Sequence, residues 1–398
     1  YFHIGGDEVV ARLWNQNDAI QAFAKEHGLK DAAAIQVYFN QRILKIVQKY
    51  GKTMVGWDEI LVPGLPTDAV IQSWRGQKSL SESAAKGYRG ILSWGYYLDH
   101  LSPASFHYGV DPLGGPDAAA LTREQAGRIM GGEACMWAEL VGPETVDSRL
   151  WPRTAAIAER LWSPANVTDV DSMYTRLAQV SRNLEFTGAM HRAYFEPLLD
   201  RIAGGLPARP LYVLAEAIEA TGLGTGRQGR PTGLVPTNRF VDAIPPESEL
   251  ARSMELAAKR LVANPAGDST DSAMLRRQFE MWAANDDLFE PMVGDNKMLT
   301  EIVPLSKDLS ALGTAGLQLL DYLAPRPTET AKKMNRKEEK AAKEAQKAAA
   351  AAKADFLATL AARLTRLAEP AKRGVTLPAD VRLAGYQPVK VLADAVAK

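Results

Sequence analysis

Two hydrophobic rhythms alternate along the first two hundred residues. Short, mostly apolar runs at 53–57, 69–74 and 90–94, together with the opening stretch up to Ile4, read as strands. Between them, 31–50 spaces Ala34, Ile35, Val37, Tyr38, Ile43, Leu44 and Val47 as a helix would, and Gly51 stops it. Residues 77–86 and 151–162 read as further helices. A looped region with Pro103, Pro112 and Pro116 leads into a last strand at 127–137. Strand then helix, repeated, predicts parallel βαβ units, in which chemistry collects at the carboxyl ends of the strands. Met173, Leu177, Val180, Leu184 and Phe186 then mark a closing helix within 170–204. Past Pro207, after a helix-like 211–220, the rhythm is helical only, at 247–261, 272–282, 298–323 and 354–367, which predicts an all-α appendage. Residues 328–354 are rich in Lys, Ala and Glu with almost no apolar face, which suits a solvated helix or a flexible spacer, with a basic patch attracting anionic surfaces as the sharper alternative.

The residues just past the apolar runs share a character. Asp7-Glu8, Trp57-Asp58-Glu59, Trp74, Trp94 through Asp99, and Trp137-Ala138-Glu139 each set an aromatic ring or a carboxylate at a strand end. Rings interleaved with acids suit a sugar, whose C–H faces stack while its hydroxyls bond to carboxylates. Neighbouring side chains on a strand point to opposite faces, so Asp7 and Glu8 can serve one site only where the strand ends and turns. Gly5 and Gly6 permit that turn.

Composition narrows the alternatives. A chain of 398 residues, 46% hydrophobic and 24% charged, can bury two domains, and no span is apolar over the length needed to cross a bilayer. The formal charge of zero is uneven: residues 331–353 hold 8 Lys/Arg against 3 Asp/Glu, leaving a net −5 elsewhere, which argues against a nucleic-acid partner. A lone cysteine, Cys135, cannot form an internal disulfide or a cysteine-based zinc site, and reads as a small buried hydrophobe. His3 reads as a residue that orients neighbouring carboxylates, since no second ligand sits at metal spacing. Arg149, Arg153, Glu159 and Arg160 read as ion pairs, with Trp151 and Trp162 as packing residues. Gly224 to Gly229 matches GxGxxG but lacks the strand before and the helix after, so dinucleotide binding is set aside. Asn166-Val167-Thr168 fits a glycosylation sequon. The first residue is not Met and lies within an apparent strand, so a fragment or processed product is expected.

The motifs His3-Ile-Gly-Gly-Asp7-Glu8, Gly56-Trp57-Asp58-Glu59, Tyr97-Leu-Asp99, Gly131 through Glu139, Ser148 through Arg153 and Ala158 through Trp162 resemble glycoside hydrolase family 20, the β-N-acetylhexosaminidases, over about residues 1–200. The resemblance implies a (β/α)8 barrel that removes terminal N-acetylglucosamine or N-acetylgalactosamine with retention, the substrate's acetamido oxygen acting as nucleophile. It implies Glu8 as general acid and base, Asp7 as the acceptor of the acetamido N–H and Tyr97 as donor to the acetamido oxygen. Trp57, Trp74 and Trp137 would wall the pocket, and Asp99 and Glu139 would hold sugar hydroxyls. No metal or organic cofactor is implied, and a periplasmic or extracellular setting is favoured.

The fold expected on this resemblance is α/β: the second half of a (β/α)8 barrel, strands four to eight, over 1–204, followed by an all-α domain over 205–398. The partner expected is an oligosaccharide or glycoconjugate ending in N-acetylhexosamine. A half barrel exposes raw sheet edges, so the chain alone is expected to be inactive or to aggregate. The rival reading is a non-catalytic relative that binds amino sugars. The helical part stays open between a homodimer interface, packing against the barrel and a separate interaction module.

Overall fold

The computed structural model describes residues 1–222, 239–265, 269–324, 336–369 and 377–398. In chain order the elements are β1 (Phe2–His3), α1 (Ala11–Asn15), α2 (Asp18–Glu26), α3 (Ala32–Lys49), β2 (Met54–Trp57), β3 (Val70–Ser73), α4 (Gln77–Ala85), β4 (Arg89–Leu92), α5 (Ala104–Gly109), α6 (Gly115–Ala119), α7 (Arg123–Ala126), β5 (Ile129–Gly132), α8 (Val146–Leu150), α9 (Arg153–Trp162) and α10 (Val170–Phe186). They continue as α11 (Phe195–Ala203), α12 (Arg209–Glu216), β6 (Ile218–Ala220), α13 (Phe240–Ala243), α14 (Glu249–Ala263), α15 (Ser269–Ala283), α16 (Asn285–Val293), α17 (Lys297–Thr300), α18 (Val303–Leu323), α19 (Arg336–Leu367), β7 (Val381–Leu383) and α20 (Tyr386–Ala397). The chain divides into two compact units: Tyr1–Leu98, Pro103–Trp137 and Leu150–Phe186 form the first, and Asp99–Ser102, Ala138–Arg149 and Thr187–Lys398 the second.

The first unit is built on a parallel sheet in the sequential order β1-β2-β3-β4-β5. Every residue of β2 and β3 is buried, the polar Gln72 and Ser73 of β3 included. α3 starts where the Asp31 carboxylate accepts the Ala34 N–H, and it ends before Gly51, whose φ of +66° suits glycine. Leu44 and Val47 of α3 pack with Met54, Ile60 and Ile71. α4 lies so close to β4 that a Cβ at Gly90 would sit 2.5 Å from Leu80 Cδ1.

The pattern reading needs four adjustments here. The opening strand is only two residues long, and the last one stops at Gly132 rather than continuing to Trp137. The proline-marked loop folds into α5, α6 and α7, and α1 and α2 fill a stretch that shows no long helical period. Trp162 is 91% exposed and is not a packing residue. The buried Arg153 guanidinium donates to the Leu98 carbonyl at 2.8 Å, while Glu159 binds Arg176 and accepts the Tyr108 hydroxyl at 2.7 Å.

The second unit has one continuous core drawn from α11 to α20. α15 and α18 meet closely at glycines: a Cβ at Gly313 would stand 2.3 Å from the Ala283 nitrogen, and one at Gly316 would stand 2.6 Å from the Phe279 ring. This unit is mainly helical but not all-α. Residues 218–220, expected as the end of a helix, form β6 and pair antiparallel with β7, with Arg382 Nε donating to Glu219 at 2.6 Å across the ladder. The described part of the Lys/Ala-rich segment belongs to α19, which continues without a break into the helix expected at 354–367. The GxGxxG match and residues 328–335 lie outside the described residues. No helix among the described residues is long and apolar enough to cross a membrane.

Candidate active site

Past β1 the chain turns through Gly5 (φ +73°) and Gly6 (φ +98°), and Glu8 itself takes φ +47°. The glycines are needed for space as well as for angle, because a Cβ at Gly6 would meet Ile60 Cγ2 at 2.4 Å and one at Gly56 would meet Ile60 Cδ1 at 2.6 Å. Two side chains hold the turn: Gln36 Nε2 donates to the Gly6 carbonyl at 2.7 Å, and the Gly5 N–H donates to His3 Nδ1 at 3.0 Å. Asp7 is half-buried and Glu8 exposed. A left-handed glutamate is costly, and it persists here in a turn fixed from both sides.

His3 also packs edge-on against Trp57 with ring centroids 5.0 Å apart, and Trp57 meets Trp137 at 6.0 Å. Burial holds the His3 imidazole below its ordinary range, opposed by the carboxylates of Glu133 and Asp7 and by a hydrogen bond with Gln72. Because Nδ1 accepts from Gly5, the proton of the neutral ring resides on Nε2. The buried Gln72 in turn donates to Ser93 Oγ at 2.6 Å and to Glu133 at 3.4 Å.

The third tryptophan is held differently. Trp74 donates its indole N–H to the Glu59 carboxylate at 3.1 Å and lies beside the Arg75 guanidinium. Asp58, buried, accepts from Arg75 Nε at 2.9 Å and Ser79 Oγ at 2.6 Å. Burial raises the Glu59 carboxyl above its ordinary range. Sequence reasoning named Trp74 but missed this network. Its signal was present in the residues that follow two adjacent strands: Trp57-Asp58-Glu59 after β2, and Trp74-Arg75 after β3.

Tyr97 is buried and pairs in parallel with Cys135, and the Cys135 N–H donates to the Tyr96 carbonyl at 3.1 Å, so the β4–β5 ladder resumes beyond Gly132. The remaining two expected site residues belong to the second unit. There Asp99 is buried, with its carboxylate 4.0 Å from His100 Nε2, and Glu139 is exposed. Burial lowers the His100 imidazole, with Glu139 opposing. A cavity of about 160 Å³ in the first unit is lined by Asp111, Ile129 and Arg160 among others, and by none of the expected site residues. Among the described residues no cluster of His, Cys, Asp and Glu is set to hold a metal ion.

Residues 1–165 match the family described as glycosyl hydrolase family 20, catalytic domain. They belong to that family. The chain is 37% identical over 190 residues to the β-hexosaminidase subunit beta of Felis catus, covering 44% of this chain and 34% of the relative. It is 39% identical over 191 residues to the subunit alpha of Bos taurus, covering 45% and 35%. The chain therefore spans about a third of the length of these curated relatives. Among solved structures, a chitobiase of Flavobacterium johnsoniae matches with a TM-score of 0.76 at 33% identity, over 99% of this chain and 55% of that one. That match runs through the helical unit as well as through the family-20 stretch.

Proposed function

We propose that the full-length protein carrying this chain is an exo-acting β-N-acetylhexosaminidase. The observation that carries the reading is the Asp7–Glu8 pair, set on a pinned turn at the carboxyl end of a parallel strand within residues that belong to glycosyl hydrolase family 20. The name chitobiase on a similar structure supports terminal N-acetylglucosamine as one substrate.

In this reading Glu8 donates its proton to the glycosidic oxygen as that C–O bond breaks. The substrate's acetamido oxygen forms the new bond to C1, giving an oxazolinium ion. Asp7 accepts the acetamido N–H and balances the positive charge, and the Tyr97 hydroxyl orients the acetamido oxygen. Water then adds to C1 on the face the leaving group occupied as the oxazolinium C1–O bond breaks and restores the acetamido group, the water's proton passing to Glu8, so configuration is retained. Trp57, Trp74 and Trp137 wall the sugar, Asp99 and Glu139 take its hydroxyls, and His3 positions the turn. The five sequential parallel strands support a placement as strands four to eight of a (β/α)8 barrel, with 1–204 catalytic and 205–398 a helical domain.

The test is release of the aryl alcohol from an aryl N-acetyl-β-glucosaminide by the full-length protein, with the anomer of the sugar product followed by NMR. Retention with turnover supports the reading. Affinity for N-acetylglucosamine without turnover points instead to a binding relative, and an inverted product removes the acetamido nucleophile.

A further inference from the structure

The two halves of α19 treat their cations differently. From Lys353 onward the helix is docked: the Lys353 ammonium lies 5.6 Å from the Tyr322 ring centroid, Leu360 and Leu364 are buried, and Arg363 and Arg366 both reach Asp308, at 3.3 and 2.6 Å. Residues 336–352 are exposed at every position, which is about 25 Å of helix. On this stretch Arg336, Lys340, Lys343 and Lys347 recur at i, i+4, i+7 and i+11. At 3.6 residues per turn they share an arc of about 60° and follow one another every ~5–6 Å along the axis. Among the described residues none of the four is in an ion pair, and Glu339 and Glu344 border the stripe without interrupting it.

We infer that this stripe is a docking surface for an acidic polysaccharide, a chain bearing carboxylate or sulfate groups. A line of evenly spaced cations matches a polymer of repeating charge better than a single small anion, which would need the donors to converge. The rest of this helical surface is alanine with Lys337, Glu338 and Gln346, so it has no large apolar side chain to bury in a bilayer. Residues 336–352 include no aromatic side chain on which a base could stack, which argues against a single-stranded nucleic acid. The choice of a glycan rests on the hexosaminidase reading: a helix that holds an acidic polymer raises the local concentration of its chain ends for an exo-acting site.

The test compares the full-length protein with a variant carrying Arg336→Gln, Lys340→Gln, Lys343→Gln and Lys347→Gln, changes on an exposed face that good helix formers accept. Binding to chondroitin sulfate is measured at low and high salt, beside uncharged chitopentaose, phosphatidylserine vesicles and a short RNA. The expected result is salt-sensitive binding to chondroitin sulfate that falls about tenfold or more in the variant, with hydrolysis of the small aryl glycoside unchanged. Three results overturn the inference: no binding, equal binding by the variant, or stronger binding to the vesicles or the RNA. Absence of aryl-glycoside hydrolysis in the unmodified protein would sink the hexosaminidase reading alone, since polymer binding is measured separately.

Discussion

The first unit divides its apolar residues among three separate clusters, whereas the second gathers its own into one. The difference follows from what fills the ends of the elements. In the first unit the strand ends carry acids and rings that stay polar or half-exposed, such as Asp7, Glu59, Trp74 and Trp137, and each interrupts the packing. In the second, α15 and α18 pack down to glycine contacts at Gly313 and Gly316. A surface meant for a polar ligand limits the core beneath it, while a closed helical unit is free to pack densely.

The comparison can be broken most directly at Glu8. Glu8→Gln should slow hydrolysis of an aryl N-acetyl-β-glucosaminide roughly 10²–10⁴-fold with little change in unfolding, and near-normal turnover would remove Glu8 from proton transfer. Next in size is Gly313→Val, whose side chain has no space against the α15 backbone; it should lower the second unit's unfolding free energy by about 3 kcal/mol, and an unchanged value in denaturant titration would show the contact to be loose. Asp58→Ala, which removes the acceptor of Arg75 Nε and Ser79 Oγ, should cost the first unit about 2 kcal/mol in urea unfolding.

Trp137→Ala is a finer test of the sugar wall. It should raise KM about tenfold with a smaller change in kcat, whereas a loss confined to stability would return Trp137 to a packing role. The smallest effect is expected at Glu159, where Arg176 and the Tyr108 hydroxyl hold the carboxyl below its ordinary value of 4.5. Such a group stabilises the fold above that value, and the contribution is lost as pH falls through the lower, folded-state value. Glu159→Gln should therefore cost less than about 1 kcal/mol at neutral pH and flatten the acid limb of a stability-versus-pH curve, and an unaltered limb would break the assignment.

What the sequence made legible were features with local causes. The helix read over 31–50 appears as Ala32–Lys49 because its cap, its apolar stripe and its stop lie within one short span. The strands β2, β3 and β4 fall within about two residues of their apolar runs for the same reason. The two short helices α1 and α2 were passed over, although Asn17 caps the second one and Ile20, Phe23 and Ala24 keep helical spacing. The polar network joining Asp58, Arg75 and Ser79 depends on strand register, and no single window of sequence contains it. β6 and β7 are three residues each and were hidden by distance. In the candidate site, types and order could be read, but the division of labour could not: Trp57 packs against both His3 and Trp137, while Trp74 turns to Glu59.

The β6–β7 ladder also bears on how the protein is made. Glu219 and Arg382 meet across it from positions 163 residues apart. At a synthesis rate of about 5–20 residues per second, β6 leaves the ribosome roughly 10–30 s before its partner exists. For that interval Ile218 and its neighbours are a strand without a ladder, close to apolar residues that are fully covered in the finished unit. The second unit therefore cannot close this ladder until Val381–Leu383 have been made, however early its other helices pack.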